Sequence, residues 1–337
     1  MKRKLSIGLL AIALSGPLFA SADEVVVYSA RNEHLIKPLF DRYTESTGVA
    51  IKFITDKEGP LLQRLKAEGA RSPADMLITV DAGNLWFAAE SGVLAEIDSP
   101  TLEANVPANL RDPQARWFGL SERARTIVYG TERVQPGELS TYEDLADPKW
   151  QGRICTRSGT HAYNLALMAA MIHHHGADAA KTWAQGVKAN LARKPQGNDR
   201  AQVKAIWAGE CDVSLGNTYY MGQMLQDPEQ TEWANSVRII YPAFEDGGTH
   251  LNVSGAAMTA ASKNADNALT FLEFLVSDQA QQVYATINYE FPVKAGVPLS
   301  PLVASWGSFT PDDANLMDLA PLRDDALRIM EEVDFDG

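Results

Sequence analysis

The first ninety residues alternate short strand-like runs with amphipathic runs, and this order restricts the fold more than any other feature. Residues 24–29 are mostly β-branched or aromatic, and residues 49–54 and 76–80 predict two further strands. Between them, apolar residues recur at helical spacing within 35–43 and again within 60–65. A strand–helix–strand–helix–strand order predicts a doubly wound α/β sheet. It lacks the glycine-rich phosphate loop that nucleotide-binding versions carry.

The next part of the chain predicts a crossover into a second α/β unit. Residues 116–129 form a long strand-like stretch, but 122–125 are Glu-Arg-Ala-Arg, which is charged where a buried strand is apolar. This pattern suits a strand that passes between two lobes and lines the cleft between them. Strands and helices alternate again beyond it, and residues 237–241 predict a strand that returns the chain. One long amphipathic helix is predicted over 267–287 and an acidic helix over 324–333.

The first 22 residues predict an export signal that is not part of the fold. Lys2-Arg3-Lys4 is basic, residues 5–14 are apolar but too short to span a bilayer, and Ala20-Ser21-Ala22 fits a cleavage site. The mature protein is therefore expected in the periplasm. The formal net charge is −13, and cleavage would make it −16 by removing three cations, so nucleic acid is not an expected partner.

The two cysteines, Cys155 and Cys211, each open a short strand-like run. In an oxidising compartment an even number of cysteines favours a disulfide, and neighbouring strands of one sheet would bring the two together. Two buried free thiols are the alternative.

The adjacent tyrosines Tyr219 and Tyr220 are the strongest candidates for chemistry. Residues 211–215 predict a strand, Gly216 interrupts it and residues 221–226 predict a helix, so the pair lies at a strand-to-helix turn. Such turns present ligand groups at the carboxyl edge of an open α/β sheet. A phenol has a pKa of about 10, so it becomes a good ligand only when a strongly charged cation such as Fe(III) displaces its proton. Packing of both rings into a core or an interface is the alternative.

Six short motifs, in this order, resemble those of periplasmic ferric-iron-binding proteins, the substrate-binding components of Fe(III) ABC transporters. The resemblance extends over essentially the whole chain after residue 22. The motifs are Tyr28-Ser29-Ala30-Arg31, Ser72-Pro73-Ala74-Asp75, Thr79-Val80-Asp81-Ala82-Gly83, Arg123-Ala124-Arg125, Arg157-Ser158-Gly159-Thr160 and Gly216-Asn217-Thr218-Tyr219-Tyr220.

This resemblance implies the bacterial transferrin arrangement, a two-lobe periplasmic binding protein fold (type II). In it each lobe is a sheet flanked by helices, with a cleft between the lobes. We expect lobe 1 at residues 23–118 plus about 248–295, and lobe 2 at about 119–247 plus 296–337. The resemblance implies a monomeric carrier, not an enzyme, that binds Fe(III) with carbonate or a similar synergistic anion. An inner-membrane permease with a separate ATPase would receive the iron, and this chain has no phosphate-binding loop of its own.

The resemblance also implies site residues. Tyr219 and Tyr220 match the tyrosine pair that binds iron in the family. Asn217 and the turn Ser158-Gly159-Thr160 match positions that hold the anion. Arg31 and Arg125 are the expected clamp on that anion, because a guanidinium fork fits a planar oxyanion with two parallel hydrogen bonds. A pair of salt bridges at the edge of the cleft is the alternative for the two arginines.

The chain departs from the family pattern at three positions. Asn32 stands where many members have a histidine ligand, and Val80 stands where some have a glutamate. Other members have a third tyrosine at a position that aligns with Val128. Tyr129, one residue later, is therefore a candidate ligand, although a shift of one residue reverses the face of a strand.

The remaining titratable residues are expected to have structural roles. Glu33 and His34 are predicted as solvated helix-start residues, and Glu58 is predicted as a charge at a helix start, where the helix dipole favours it. The run His173-His174-His175 is predicted as an exposed helix end, because consecutive helical side chains point about 100° apart and cannot converge on one ion.

Other functions remain open from the sequence alone. The same scaffold would also suit an oxyanion such as sulfate, a polyamine or Fe(II). An enzyme acting in the cleft is the remaining alternative, but the chain has neither a Gly-x-Ser-x-Gly nucleophile elbow nor a zinc-type histidine spacing.

Overall fold

The computed structural model describes residues 23–337, so the predicted signal peptide lies outside the described residues. The strands of this part are β1 (Glu24–Ser29), β2 (Ala50–Thr55), β3 (Met76–Thr79), β4 (Phe118–Gly130), β5 (Ile154–Cys155), β6 (Val213–Asn217), β7 (Val237–Ile240), β8 (Leu251–Met258) and β9 (Phe291–Pro292). The helices are α1 (Glu33–Thr47), α2 (Glu58–Glu68), α3 (Ala82–Glu90), α4 (Pro100–Asn105), α5 (Ala162–His175), α6 (Ala177–Ala189), α7 (Asp199–Trp207), α8 (Thr218–Gln226), α9 (Thr231–Asn235), α10 (Ala265–Leu275), α11 (Asp278–Thr286), α12 (Pro301–Ala304), α13 (Leu316–Leu319) and α14 (Arg323–Glu332).

One long strand, β4, joins two groups of strands. The sheet order is β2-β1-β3-β8-β4-β6-β5, and β7 and β9 also pair with β4. β1 pairs in parallel with β2 and β3. β4 pairs antiparallel with β8 from Phe118 to Ala124, and with β6 from Arg125 to Tyr129. The crossover that the sequence predicts at 116–129 is therefore confirmed.

Buried apolar side chains form clusters on either side of this crossover. The first cluster packs α1, α2, α10 and α11 onto β1, β3 and β8. The second and third clusters draw on residues 127–335, and Leu35 of α1 also joins the third. The predicted α/β class is confirmed by these elements, whereas the residue boundaries of the two lobes stay a prediction. Among residues 23–337, no helix combines the length and apolar character needed to cross a membrane.

Local sequence explains where several helices begin and end. The spacing that predicts α1 is confirmed, because Leu35, Ile36, Leu39, Phe40 and Tyr43 are all buried. Gly48 ends α1 in the left-handed conformation, with φ of 79°.

The single long helix predicted over 267–287 is wrong. Two helices, α10 and α11, occupy this stretch and are separated at Val276 and Ser277. The Ser277 hydroxyl caps α11 by accepting a hydrogen bond from the Ala280 amide at 3.4 Å. A serine that satisfies a free helix amide in this way favours a new helix start over continuation.

Candidate metal centre

The predicted tyrosine pair lies at the junction of β6 and α8. β6 ends at Asn217 and α8 begins at Thr218, so Tyr219 and Tyr220 occupy the first turn of the helix. Their rings stack with centroids 4.1 Å apart, and both side chains are buried. The strand-to-helix turn that the sequence predicts is confirmed.

A third tyrosine, Tyr163, belongs to the same cluster, and sequence reasoning missed it. It lies in the first turn of α5, packs in the apolar cluster of Tyr219 and Tyr220, and lines the same cavity. β5 and β6 are parallel neighbours, so the turns that follow them lie at one edge of the sheet. The sequence held a signal for this position. The strand-like run that Cys155 opens is followed by the turn Ser158-Gly159-Thr160, and Tyr163 comes three residues after that turn.

The predicted disulfide between Cys155 and Cys211 is confirmed, with the two Cα atoms 5.8 Å apart. Cys155 is the last residue of β5, and Cys211 lies two residues before β6. The bond therefore links the two strands whose carboxyl ends carry the three tyrosines.

The two phenols of the pair are neutral in the metal-free protein. Burial, together with the neighbouring phenols of Tyr163 and Tyr220, raises the pKa of Tyr219 well above its usual value. Burial and the charge of Asp199 raise the pKa of Tyr220 to about 12. A group that takes these oxygens as phenolates must displace their protons, and a highly charged cation does so.

The tyrosines line a cavity of about 600 Å³ between the two groups of strands. Residues from the β5–α5 and β6–α8 junctions form one wall. The opposite wall comes from α1, α2 and the residues that follow β1, β3 and α11. Its members are Ala30, Arg31, Asn32, Leu35, Lys57, Glu58, Gly59, Pro60, Val80 and Glu290.

Arg31, half of the predicted anion clamp, lines this cavity but is already paired. Its Nη2 donates to Glu290 Oε1 at 2.5 Å, and its Nη1 donates to the Ser254 hydroxyl at 2.8 Å. The side chain is buried, and its Nε has no hydrogen-bond partner among residues 23–337. The guanidinium is therefore fixed in position by Glu290 with one donor unused.

Arg125, the other half of the predicted clamp, lies beneath the cavity and does not line it. Its guanidinium is completely buried and donates to Asp199 Oδ2 at 2.9 Å, to Asn164 Oδ1 at 2.6 Å and to Asn217 Oδ1 at 3.2 Å. The structure thus does not bring Arg31 and Arg125 together on one face. The reason is that Arg125 neutralises a buried carboxylate, which would otherwise be strongly destabilising.

Arg157 and Arg123 are two further arginines of the cavity that the sequence did not single out as site residues. Arg157 donates to the second oxygen of Asp199 at 3.0 Å, and it lines the cavity above Arg125. Arg123 donates to the Val80 carbonyl at 2.5 Å and has no salt bridge among the described residues. Nη1 of Arg123 and Nε of Arg157 are buried without a partner in this part of the chain. Both arginines therefore have donors left for a further acceptor.

Asp199 joins two arginines into one buried ion network. Burial alone would raise the pKa of its carboxyl, but the charges of Arg125 and Arg157 outweigh burial and hold the pKa below its usual value. Asp199 Oδ2 also accepts the amide of Asn217 at 2.9 Å. Asn217, predicted as an anion contact, is thus buried in this network and does not line the cavity.

The turn Ser158-Gly159-Thr160, also predicted as an anion site, binds a carboxylate of the chain itself. The Ser158 hydroxyl donates to Asp336 Oδ2 at 2.5 Å, and the Gly159 amide donates to Asp336 Oδ1 at 2.7 Å. Ser158 and Thr160 nevertheless line the cavity. Sequence reasoning missed Asp336, which lies far from this turn along the chain.

Tyr129, the predicted third ligand, is not brought to the pair. It packs against the second apolar cluster, whereas its neighbour Val128 belongs to the cluster of Tyr219 and Tyr220. The alternation of side chains along β4 explains this difference, because adjacent strand residues face opposite sides of the sheet.

Two further polar side chains line the cavity. Glu58 accepts a hydrogen bond from the Val80 amide at 3.1 Å, and burial, followed by the charge of Asp81, raises its pKa to about 7. The predicted place of Glu58 at a helix start is confirmed, because it is the first residue of α2, and it also lines the cavity. His161 caps α5 by accepting the Tyr163 amide at its Nδ1 at 3.2 Å, and burial lowers its pKa to about 3. His161 is therefore a neutral imidazole beside Tyr163.

The other candidate residues lie outside the cavity. Glu33 and His34 are exposed at the start of α1, as predicted. The three histidines do not form a metal site, and residues 23–337 hold no cluster of three or more potential His, Cys, Asp or Glu ligands. The predicted exposed helix end is only partly right, because His174 lies between Asp246 and Asp312 at 2.9 and 2.8 Å.

Comparison with known proteins agrees with this geometry. Residues 71–309 match the family described as bacterial extracellular solute-binding protein. Iron uptake protein A1 of Synechocystis sp. is 46% identical over 311 residues, which cover 92% of this chain and 86% of that protein. The major ferric iron-binding protein of Neisseria gonorrhoeae is 28% identical over 302 residues, covering 88% of each chain.

Solved structures with the same two-lobe fold are similar over nearly the whole chain. Apo ferric ion-binding protein A of Pasteurella haemolytica has a TM-score of 0.91 and 44% identity, and the match covers 94% of this chain and 99% of that one. Trichodesmium IdiA (FutA), in complex with iron and citrate ligands, has a TM-score of 0.87 and 43% identity, with 93% and 99% covered. The chain therefore belongs to the bacterial extracellular solute-binding proteins, and within that family it is similar to the ferric-iron-binding proteins of iron uptake.

Proposed function

We propose that this protein binds Fe(III) together with a synergistic anion in the cavity between its lobes and delivers the iron to an ABC transporter. One observation carries the proposal: Tyr163, Tyr219 and Tyr220 lie at one edge of the sheet and line one cavity. Fe(III) prefers anionic oxygen, and three phenolates would supply three such ligands. Mixed apolar packing alone does not account for three phenols that line a polar cavity together with several guanidinium groups.

The charges around the tyrosines support an anion beside the iron. Three phenolates would neutralise Fe(III). Arg123 has no carboxylate partner among the described residues, and Arg125 and Arg157 share the single carboxylate of Asp199. Two positive charges therefore remain, and a dianion such as carbonate would balance them. We assign the anion to the guanidinium groups of Arg123, Arg157 and Arg31, which line the cavity.

The other predicted anion residues then act indirectly. Arg125 and Asn217 hold Asp199 in place beneath Arg157. The Ser158-Gly159-Thr160 turn positions the loop between Arg157 and Tyr163, and its donors are engaged by Asp336. Tyr129 is assigned to packing and not to iron.

The family and the predicted export signal support a cellular role. We propose a monomer in the periplasm, with lobes near the boundaries expected from the sequence, that carries iron to an inner-membrane permease driven by a separate ATPase. A binding role, with no catalysis, agrees with the related proteins, which are named as an iron uptake protein and a ferric iron-binding protein.

The test is the phenolate-to-iron charge-transfer band in the visible spectrum. Adding Fe(III) and bicarbonate to the colourless protein should produce an orange to red band. Tyr163→Phe, Tyr219→Phe and Tyr220→Phe should each weaken iron binding strongly, because each loses an anionic ligand but little volume. Tyr129→Phe is the matched control and should bind iron as the parent does. Tight binding without the band would point to another metal or to Fe(II), and a full-affinity Tyr→Phe variant would remove that tyrosine from the ligand set.

A further inference from the structure

Gly222 and Tyr289 make a close contact beside the tyrosine pair. Gly222 lies in α8, two residues after the tyrosine pair. A Cβ atom added to Gly222 would lie 2.6 Å from Cβ and 2.7 Å from Cδ2 of Tyr289. Cβ atoms in proteins essentially never approach a non-bonded atom closer than 3.0 Å. The Tyr289 ring therefore rests directly on the backbone of the helix, which requires glycine at this position.

Tyr289 reaches this contact with an unusual backbone. Its φ is 60°, in the left-handed region that a bulky residue rarely occupies. Strain of this kind persists only where neighbouring contacts impose it. Here they do: the Asn288 side chain donates to the Leu35 carbonyl at 3.1 Å, and Glu290 binds Arg31 at 2.5 Å.

The contact joins the two sides of the cavity. Tyr289 lies between α11, which packs in the first apolar cluster, and β9, which pairs with β4 beside β8. Gly222 lies in the helix of the tyrosine pair, and Tyr289 packs against the third cluster, to which Tyr219 and Tyr220 belong. Leu35, whose carbonyl accepts the hydrogen bond from Asn288, also belongs to that cluster.

We propose that Tyr289 is a positioning residue for iron binding. Its ring packs on Gly222 and so holds the wall of the cavity that contains Arg31 against α8, the helix that carries Tyr219 and Tyr220. This role rests on the proposed function, because it assigns Tyr289 to the support of that same iron site. Tyr289 acts through the helix backbone and is not itself a ligand.

Three variants test the contact by a double-mutant cycle: Gly222→Ala, Tyr289→Gly and the two combined. In the parent background the added methyl group collides with the ring, so Gly222→Ala should lower iron affinity by about tenfold or more, the size expected for overpacking. In the Tyr289→Gly background the same substitution should have no further effect. The wavelength of the charge-transfer band should not change in any variant, because no ligand is altered.

Two results would overturn the proposal. One is an equal loss of affinity from Gly222→Ala with and without the Tyr289 ring, and the other is no loss in the parent. If Gly222→Ala fails to fold, Tyr289→Gly alone decides, since it should lower affinity without shifting the band. Small-angle scattering of the iron-free proteins separates this inference from the proposed function: Gly222→Ala should increase the radius of gyration even if the protein binds no iron, and an unchanged radius would count against the contact.

Discussion

Arg125 and Arg157 share Asp199, yet the structure gives them different tasks, and replacing each by methionine separates the two. Arg125→Met removes a guanidinium that is completely buried and does not line the cavity. Arg157→Met removes one that lines it and has a donor without a partner. Methionine keeps an unbranched apolar stem like that of arginine but carries no charge, so the change removes the guanidinium group. We expect the first variant to lose stability and the second to lose iron affinity.

The magnitude for Arg125 follows from its contacts. Its guanidinium donates to Asp199, Asn164 and Asn217 at 2.9, 2.6 and 3.2 Å. Removing one partner of a buried ion pair costs about 3–5 kcal/mol of stability. Because Asp199 keeps its bond to Arg157, we expect the lower end, about 3 kcal/mol, or roughly 4–5 °C in Tm for a chain of this size.

The magnitude for Arg157 is different in kind. Removing Arg157 leaves the Asp199 carboxylate bound to Arg125. The loss in the free energy of unfolding should therefore be only about 1 kcal/mol. A hydrogen bond from a cation to an anion contributes about 1.5–3 kcal/mol, so loss of the anion contact should weaken iron binding about 10- to 100-fold. The loss should be smaller at high bicarbonate, because more anion partly compensates for a weaker anion site.

Two measurements on each variant check this reasoning. Urea unfolding of the iron-free protein, followed by circular dichroism, gives the free energy of unfolding. Titration of the charge-transfer band at low and high bicarbonate gives the iron affinity. If Arg125→Met keeps its stability but loses bicarbonate-dependent affinity while Arg157→Met binds normally, then Arg125 binds the anion as the sequence predicts, and the assignment to Arg157 is refuted.

Three further predictions follow from the same structure. The raised pKa values of Tyr219 and Tyr220 mean that bound iron must displace protons from both phenols. As the pH decreases below neutral, the apparent iron affinity should therefore fall about tenfold per pH unit for each proton released. Binding that does not depend on pH would contradict phenolate ligation. Cys155 and Cys211 are 56 residues apart, so reducing their bond should lower the unfolding free energy by about 4 kcal/mol, and denatured, unreduced protein should show no titratable thiol. Asp336→Asn should speed hydrogen exchange at the Gly159 amide about tenfold, with Asp334→Asn as control, and equal exchange in both variants would deny the role of Asp336.

Local features of the sequence carry most of the fold. Strand composition and helical spacing suffice for β1 to β3 and for α1, because their buried faces depend on residues within one element. The crossover strand was also predictable, since charged residues inside a strand indicate that its surroundings change along its length. The division of 267–287 into α10 and α11 was not, because Ser277 caps a helix only when tertiary packing allows the chain to turn there.

The parts of the site that depend on a local turn were predictable from the sequence. The parts that depend on contacts between residues far apart in sequence were not. Tyr219 and Tyr220 follow one strand directly, so their place at the sheet edge is local information. The distinction between Arg125 and Arg157 depends on Asp199, which is 74 residues beyond Arg125 in sequence. Gly159 likewise meets Asp336 across 177 residues. No spacing rule in the sequence reports such contacts.

The charge of the whole chain also gives no guide to the charge of the site. The chain carries a net charge of −13, yet Arg123, Arg157 and Arg31 all line the cavity. Lys57 and Arg323 line it too and offset Glu58 and the neighbouring Asp81. In the metal-free protein the phenols are neutral, so the unbalanced guanidinium charge dominates the cavity. The cavity should therefore bind an anion before it binds a cation. Bound anion would then neutralise this charge, which would allow a trivalent cation to enter a cavity lined with arginine.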